Sequence, residues 1–171
     1  MGVVCVFTGN GKGKTSAAFG MAMRFLGHNK RVVVVQFLKG TKTGELLLKR
    51  NLPGLDIVQF GTEFFVDLKN PSREDKQLAI EAILYAKKIM KGPYRPDLMI
   101  LDEANVAVAS GLINEEDLMD LISVMPEEMN LVITGREASP KVLERADMVT
   151  EMREIKHPFT TGKKAKEGIE Y

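Results

Sequence analysis

Apolar residues fall along the chain in two alternating kinds of cluster. Short runs rich in β-branched residues recur at Val3–Phe7, Arg31–Phe37, Asp56–Phe60, Leu98–Leu101, Leu131–Thr134 and, more weakly, Met148–Met152, and they predict six strands. Between them, helical spacing predicts helices over Thr15–Leu26, Gly44–Asn51, Arg73–Met90, Glu115–Val124 and Pro140–Arg145. In the longest, Leu78, Ala82, Tyr85 and Ile89 fall at i, i+4, i+7 and i+11, laying one apolar stripe along the helix. Several of the strands are apolar at every position rather than at every second one, which requires cover on both faces. Strands of that kind alternating with helices predict an α/β fold with a mostly parallel six-stranded sheet flanked by helices.

No internal repeat or low-complexity linker divides the chain, and 171 residues suit a single domain spanning 1–171. The stretch KGPYRP, Lys91 to Pro96, is a loop, because its two prolines cannot continue a helix. The end of the chain, residues 156–171, has no strong period but closes on Ile169 and Tyr171, so it reads as a solvated tail or as a flap. Charge narrows the partners little. With 24 basic and 23 acidic residues the net charge is +1, and no global field recommends nucleic acid or an acidic membrane, so the partner must be argued from a site. The single cysteine, Cys5, excludes an intramolecular disulfide and reads as a small buried hydrophobe. With no signal peptide and no run of about 18 apolar residues, a soluble cytoplasmic protein is expected.

Chemistry enters with TGNGKGKTS, Thr8 to Ser16, between the first strand and the first helix. It ends in Gly-Lys-Thr like a phosphate-binding P-loop, yet the usual G-x-x-x-x-G-K-[ST] spacing would put glycine where Thr8 stands, and Gly9 arrives one residue late. Backbone N–H groups in such a turn, added to a helix N-terminus, form a concave anion site, and Gly9, Gly11 and Gly13 keep side chains out of it. Lys14 would supply a point charge, and Thr15 a hydroxyl for Mg²⁺ or phosphate.

A second element, DLMILDEAN from Asp97 to Asn105, delivers Asp102 and Glu103 at the C-terminal end of a buried strand, where open α/β sheets place their ligands. Beside a glycine loop, that is a station for a phosphate-bound metal, with Asp102 on the metal side and Glu103 within reach of metal or nucleotide. In VITGRE, Val132 to Glu137, Arg136 follows another strand end and could clamp phosphate oxygens; its plain alternative is a surface arginine in a turn. In FGTEFFVD, Phe60 to Asp67, adjacent Phe64 and Phe65 cannot both face one core if the stretch is extended. Core packing is the plain reading there, but an exposed aromatic beside a nucleotide site would suit a large, flat co-substrate.

Taken in order, TGNGKGKTSAAFGMAMR, VVQFLKG, GELLL, LDE, VITGR and KHPFTTGKKAKEGIEY resemble the cob(I)alamin adenosyltransferase family of the corrinoid-salvage type, a RecA-like branch of the P-loop fold. That family shares the shortened glycine loop. The resemblance implies that MgATP is bound in reverse of the usual direction, leaving the ribose 5′ carbon open to attack by Co(I) of a reduced corrinoid, with inorganic triphosphate as the other product. It implies catalytic roles for Lys12, Lys14 and Glu103, and nucleotide contacts from Gly9, Asn10, Gly11, Lys12, Gly13, Lys14, Thr15, Ser16 and Arg136. It further implies a corrinoid contact from Phe64, and Mg²⁺ held by Thr15, Asp102 and Glu103. A homodimer and a reductase supplying Co(I) are the implied partners. Two departures stand out: family members carry a further segment ahead of the first strand, which Met1 here almost abuts, and a tryptophan is common where Val66 stands.

Such a nucleophile needs no general base, and the chain offers no Ser/His/Asp or Cys/His constellation, its two histidines being His28 and His157. Two alternatives stay open: a nucleoside kinase-like phosphotransferase with Glu103 as base, and an ATP-dependent binding module without turnover.

Overall fold

A computed structural model of the chain describes residues 2–64, 66–156 and 166–168. Its strands are β1 (Val4–Thr8), β2 (Val32–Phe37), β3 (Leu55–Phe60), β4 (Leu98–Asp102), β5 (Asn130–Thr134) and β6 (Met148–Glu151). They form one sheet in the order β3-β2-β4-β5-β1-β6, with every pairing parallel. Burial follows from position. The central β2 and β4 are buried at every residue, whereas the edge strand β6 is exposed at all four.

Parallel neighbours require crossovers, supplied by α1 (Lys14–Gly27), α2 (Gly44–Leu48), α3 (Arg73–Lys91), α4 (Ala104–Ala109), α5 (Glu115–Ser123) and α6 (Pro140–Arg145). Alternation along β2 divides the core in two. Val33 and Val35 pack with Met99, Leu101 and the α3 residues Ala79, Ala82, Ile83 and Ala86 on one face. On the other, Val32 and Val34 pack with Cys5, Ile100, Val132 and Ala18 and Ala22 of α1. Each large apolar side chain so buried contributes about 1.5–3 kcal/mol. Cys5 is buried as expected, and burial, aided by the charge of Asp147, pushes its thiol above the ordinary value.

Two local expectations need correction. The apolar stripe of α3 is centred on Ala79, Ala82, Ile83, Ala86 and Met90, and Tyr85 and Ile89 only flank it, because the alanines let the helix axis approach the sheet. Helix α4 escaped prediction because its ANVAVA alternates alanine with β-branched valine, a strand-like pattern, and Glu103 turns the chain into it through a left-handed conformation at φ 63°. Helix starts are locally encoded: Ser72 and Asp75 form a capping box on α3, as Asn114 and Asp117 do on α5. Among the described residues, no helix is long and apolar enough to cross a membrane.

Candidate nucleotide site

Because all six strands run the same way, the segments after β1, β2, β4 and β5 emerge at one edge of the sheet. The segment after β1 is the glycine loop. Gly9 and Gly13 adopt φ of 91° and 110°, which disfavours any residue with a Cβ. The N–H of Gly11 donates to the carbonyl of Met152 at 2.6 Å, and the N–H of Met152 donates to Thr8 at 2.8 Å, so the chain just after β6 braces the loop from outside. A Cβ at Gly11 would strike that same carbonyl. The loop runs into α1, whose first turn has no acidic residue and whose N-cap Gly13 offers no side chain. The amides and dipole of that helix end are left for an anion.

Lys14 is buried, and its ammonium donates to the carbonyls of Gly9 at 2.8 Å and Gly11 at 2.7 Å. Burial lowers its pKa from the ordinary lysine value; Glu103 and Asp102 oppose that and Arg136 adds to it. The next residue, Thr15, donates its hydroxyl proton to Asp102 Oδ1 at 2.8 Å, tying the loop to the end of β4.

Asp102 is fully buried. Burial alone would raise its carboxyl, but the Lys39 ammonium at 2.7 Å and hydrogen bonds from Lys39, Thr134 and Thr15 outweigh it and hold the group below the usual carboxylate range. Glu103 goes the other way: burial first, and the Asp102 charge second, raise its pKa against the pull of Lys39, Lys14 and Arg136. Its own N–H donates to Thr134 Oγ1 at 3.0 Å, which pins the left-handed turn. Two carboxylates adjacent in sequence are thus driven apart by environment, one kept ionised within the protein and the other turned to the cavity.

These groups border a cavity of about 700 Å³, within the range of small-molecule sites. Of the residues expected from sequence, Asn10, Gly11, Lys12, Gly13, Lys14, Thr15, Ser16, Glu103 and Arg136 line it. Gly9 and Asp102 are not on its surface; Gly9 meets Lys14 through its carbonyl, and Asp102 meets Thr15. Arg136 arrives there because Gly135 turns at φ 130° so close to α4 that a Cβ would strike the amide of Val106.

Phe64 is 80% exposed and is not on the lining, so the core-packing reading of it is wrong: the loop after β3 turns the ring to solvent. Phe65 lies outside the described residues, as do His157 and most of the C-terminal segment. Gly168 is described, and it lines the cavity.

Sequence reasoning passed over Phe19, Lys39, Gly44, Glu45 and Leu48 on the lining. For Lys39 a signal was present, since a basic residue just beyond a buried strand is the same feature that marked Arg136. Phe19 was hidden among the apolar positions of α1.

Among the described residues no group of three or more His, Cys, Asp or Glu side chains is arranged to hold a metal by itself. The donor set nonetheless fits Mg²⁺ carried on phosphates. Thr15 gives its proton to Asp102 and so keeps lone pairs for a metal, while phosphate oxygens and water can complete six oxygen ligands.

With β5 inserted between the loop-bearing β1 and the acidic β4, the arrangement is that of a P-loop nucleotide-binding protein in its RecA-like form. Flagellar accessory protein FlaH from Methanocaldococcus jannaschii shares the fold, with a TM-score of 0.54 over 87% of this chain and 70% of that one at 17% identity. More closely, the sequence profile of the ATP:corrinoid adenosyltransferase family BtuR/CobO/CobP matches residues 1–171, and the chain belongs to that family. The corrinoid adenosyltransferase of Escherichia coli K12 is 41% identical over 99% of this chain and 86% of its own length. Corrinoid adenosyltransferase CobA of Salmonella typhimurium is 40% identical over the same shares, and the Pseudomonas aeruginosa enzyme is 39% identical over 99% and 84%. The protein is an enzyme of ATP-dependent adenosyl transfer to a corrinoid, and ATP and corrinoid are its substrates.

Proposed function

We propose that the protein transfers the 5′-deoxyadenosyl group of MgATP to Co(I) of a reduced corrinoid and releases intact triphosphate. The observation that carries this reading is the convergence of Lys12, Lys14, Lys39 and Arg136 with the α1 N-terminus on one cavity. Preorganised positive groups of this kind stabilise charge where it develops. In the transfer, the Co(I) electron pair forms a bond to C5′ while the C5′–O bond breaks, and its electrons leave on the triphosphate. No proton need be removed from the nucleophile, so no base is required.

On this reading Lys14 leaves the carbonyls of Gly9 and Gly11 for phosphate oxygens, joined by Lys12, the amides from Asn10 to Ser16, and Arg136. Thr15 and Glu103 hold Mg²⁺, and Asp102 orients the Thr15 hydroxyl. Bound there, Mg²⁺ supplies neutralisation of the triphosphate charge. Phe64, with no cover of its own, supplies an apolar face for the corrinoid and keeps water and an axial ligand from cobalt. The chain acts as one domain with 156–171 as a flap, a view supported by Gly168 on the cavity wall. It works in the cytoplasm as a homodimer, supplied with Co(I) by a reductase.

The test is phosphorus NMR of the enzyme with MgATP and chemically pre-reduced corrinoid. Triphosphate must appear in step with the visible spectrum of a cobalt–carbon bond. ADP with a phosphorylated acceptor, and no such spectrum, would overturn the reading in favour of phosphoryl transfer.

A further inference from the structure

Asp102 has no contact with solvent, and each of its oxygens already accepts two hydrogen bonds. Oδ1 takes the hydroxyls of Thr15 at 2.8 Å and Thr134 at 2.7 Å; Oδ2 takes the Gln36 amide at 3.1 Å and the Lys39 ammonium at 2.7 Å. A carboxylate offers about four lone-pair positions, so Asp102 is saturated. Of these four donors only Lys39 brings a charge, and a buried carboxylate without a counter-charge is strongly disfavoured. Lys14, which also lines the cavity, gives its ammonium's hydrogen bonds to the glycine loop.

The backbone is shaped to put Lys39 there. Leu38, just before it, adopts φ 62°, a conformation sparsely populated by branched side chains. On the other side, Gly40 packs backbone against backbone on Gly61: a Cβ on Gly40 would collide with the Gly61 carbonyl, and one on Gly61 with the Lys39 amide. The N–H of Leu38 donates to the Phe60 carbonyl at 3.0 Å and fixes the crossing. Held this way, the Lys39 side chain is 24% exposed, lines the cavity and lies 3.9 Å from Glu45 as well as against Asp102.

We propose that Lys39 is a positioning residue: a tethered cation that holds the place of a divalent cation beside Asp102 in the nucleotide-free protein, so that the divalent cation enters only with the nucleotide. The proposal rests on the reading of Thr15, its hydroxyl oriented by Asp102, as a metal ligand of the site. An ammonium on a flexible stem satisfies Asp102 with one charge and up to three N–H donors. It needs none of the phosphate oxygens on which a six-coordinate Mg²⁺ depends. When phosphates arrive, the same stem lets the ammonium turn toward them or toward Glu45.

The experiment uses full-length, nucleotide-free protein titrated with Mn²⁺, with free Mn²⁺ read by electron paramagnetic resonance. Lys39→Met, of similar reach but uncharged, is expected to bind Mn²⁺ about ten-fold more tightly than the wild type or better, because Asp102 is left without its counter-charge. Lys39→Arg is expected to match the wild type, and adding Asp102→Asn to Lys39→Met to abolish the gain. In thermal unfolding without nucleotide, Mn²⁺ should raise the midpoint of Lys39→Met and leave that of the wild type unmoved. Should Lys39→Met be unfolded without cation, recovery of the fold on adding Mn²⁺ supports the proposal equally, and failure to recover overturns it. Equal Mn²⁺ binding by wild type and a folded Lys39→Met also overturns it. Neither ATP nor corrinoid is present, so failure here leaves the product test untouched.

Discussion

Lys14 and Ser16 both line the cavity, but only one carries a charge. A charged donor to phosphate is worth about 1.5–3 kcal/mol and a neutral hydroxyl nearer 1. Lys14→Ala is therefore expected to cost on the order of ten- to hundred-fold in kcat/KM, with part of the loss in kcat, and Ser16→Ala to cost several-fold. Steady-state kinetics with pre-reduced corrinoid checks this, and equal, small effects would remove the loop from the reaction. Phe64 poses a different question, since its ring is exposed and off the cavity wall. If it shields cobalt, Phe64→Ala should leave ATP affinity by calorimetry unchanged and impair turnover from Co(II) corrinoid with a reductant more than turnover from Co(I). A loss equal for both cobalt states would restrict Phe64 to simple contact.

Between elements, polar groups at the N-terminal edge of the sheet fix the strands whose other ends build the site. Asp97 is the central one. Its Oδ2 accepts the N–H of Arg31 ahead of β2 at 2.8 Å, its Oδ1 accepts the Lys30 ammonium at 3.1 Å, and its carbonyl accepts the N–H of Asn130 at the start of β5 at 2.9 Å. Burial would raise its carboxyl, but the Arg31 and Lys30 bonds prevail and its folded pKa lies below the ordinary value. A depressed carboxyl contributes stability that is fully present above the unfolded value, about 3.9 for aspartate, and is lost as pH falls through the lower folded one. Asp97→Asn is expected to be less stable than the wild type at pH 7 and to converge with it in acid, once the pH has fallen through the lowered folded value. The difference should be modest, because the side chain is 37% exposed. Urea unfolding at neutral and acid pH measures it, and a gap that persists unchanged in acid would show that the contribution is not ionic.

For the whole molecule, the question is what closes the site. Most of the C-terminal segment lies outside the described residues, yet Gly168 borders the cavity beside loops drawn from four strands. A polar tail adds little to the core, so deleting Lys163–Tyr171 should leave the urea midpoint of unfolding unchanged while raising KM for ATP or corrinoid. Unchanged kinetics would mean that the segment is a solvated tail.

Much of this was legible in the chain because it is written in local chemistry. Unbroken apolar runs specify strands covered on both faces, and all six appear within a few residues of their predicted bounds. The glycine loop announces itself because only glycine suits the left-handed turns at Gly9 and Gly13. Helix α4 was not legible, since ANVAVA carries a strand-like pattern and the turn into it depends on Thr134 of a neighbouring strand holding the Glu103 amide. Nor could any pattern reveal that Met152 would brace Gly11 or that Lys39 would meet Asp102. Those contacts join residues 141 and 63 positions apart. The sequence by itself determined which elements form and which chemistry their ends carry, because periodicity, backbone sterics and side-chain type are local properties. Which ends meet was settled by tertiary packing: the strand order places β5 between β1 and β4, and the neighbours so assembled separate two buried carboxyls, the Lys39 ammonium and three hydrogen bonds lowering the pKa of Asp102 while burial and the Asp102 charge raise that of Glu103.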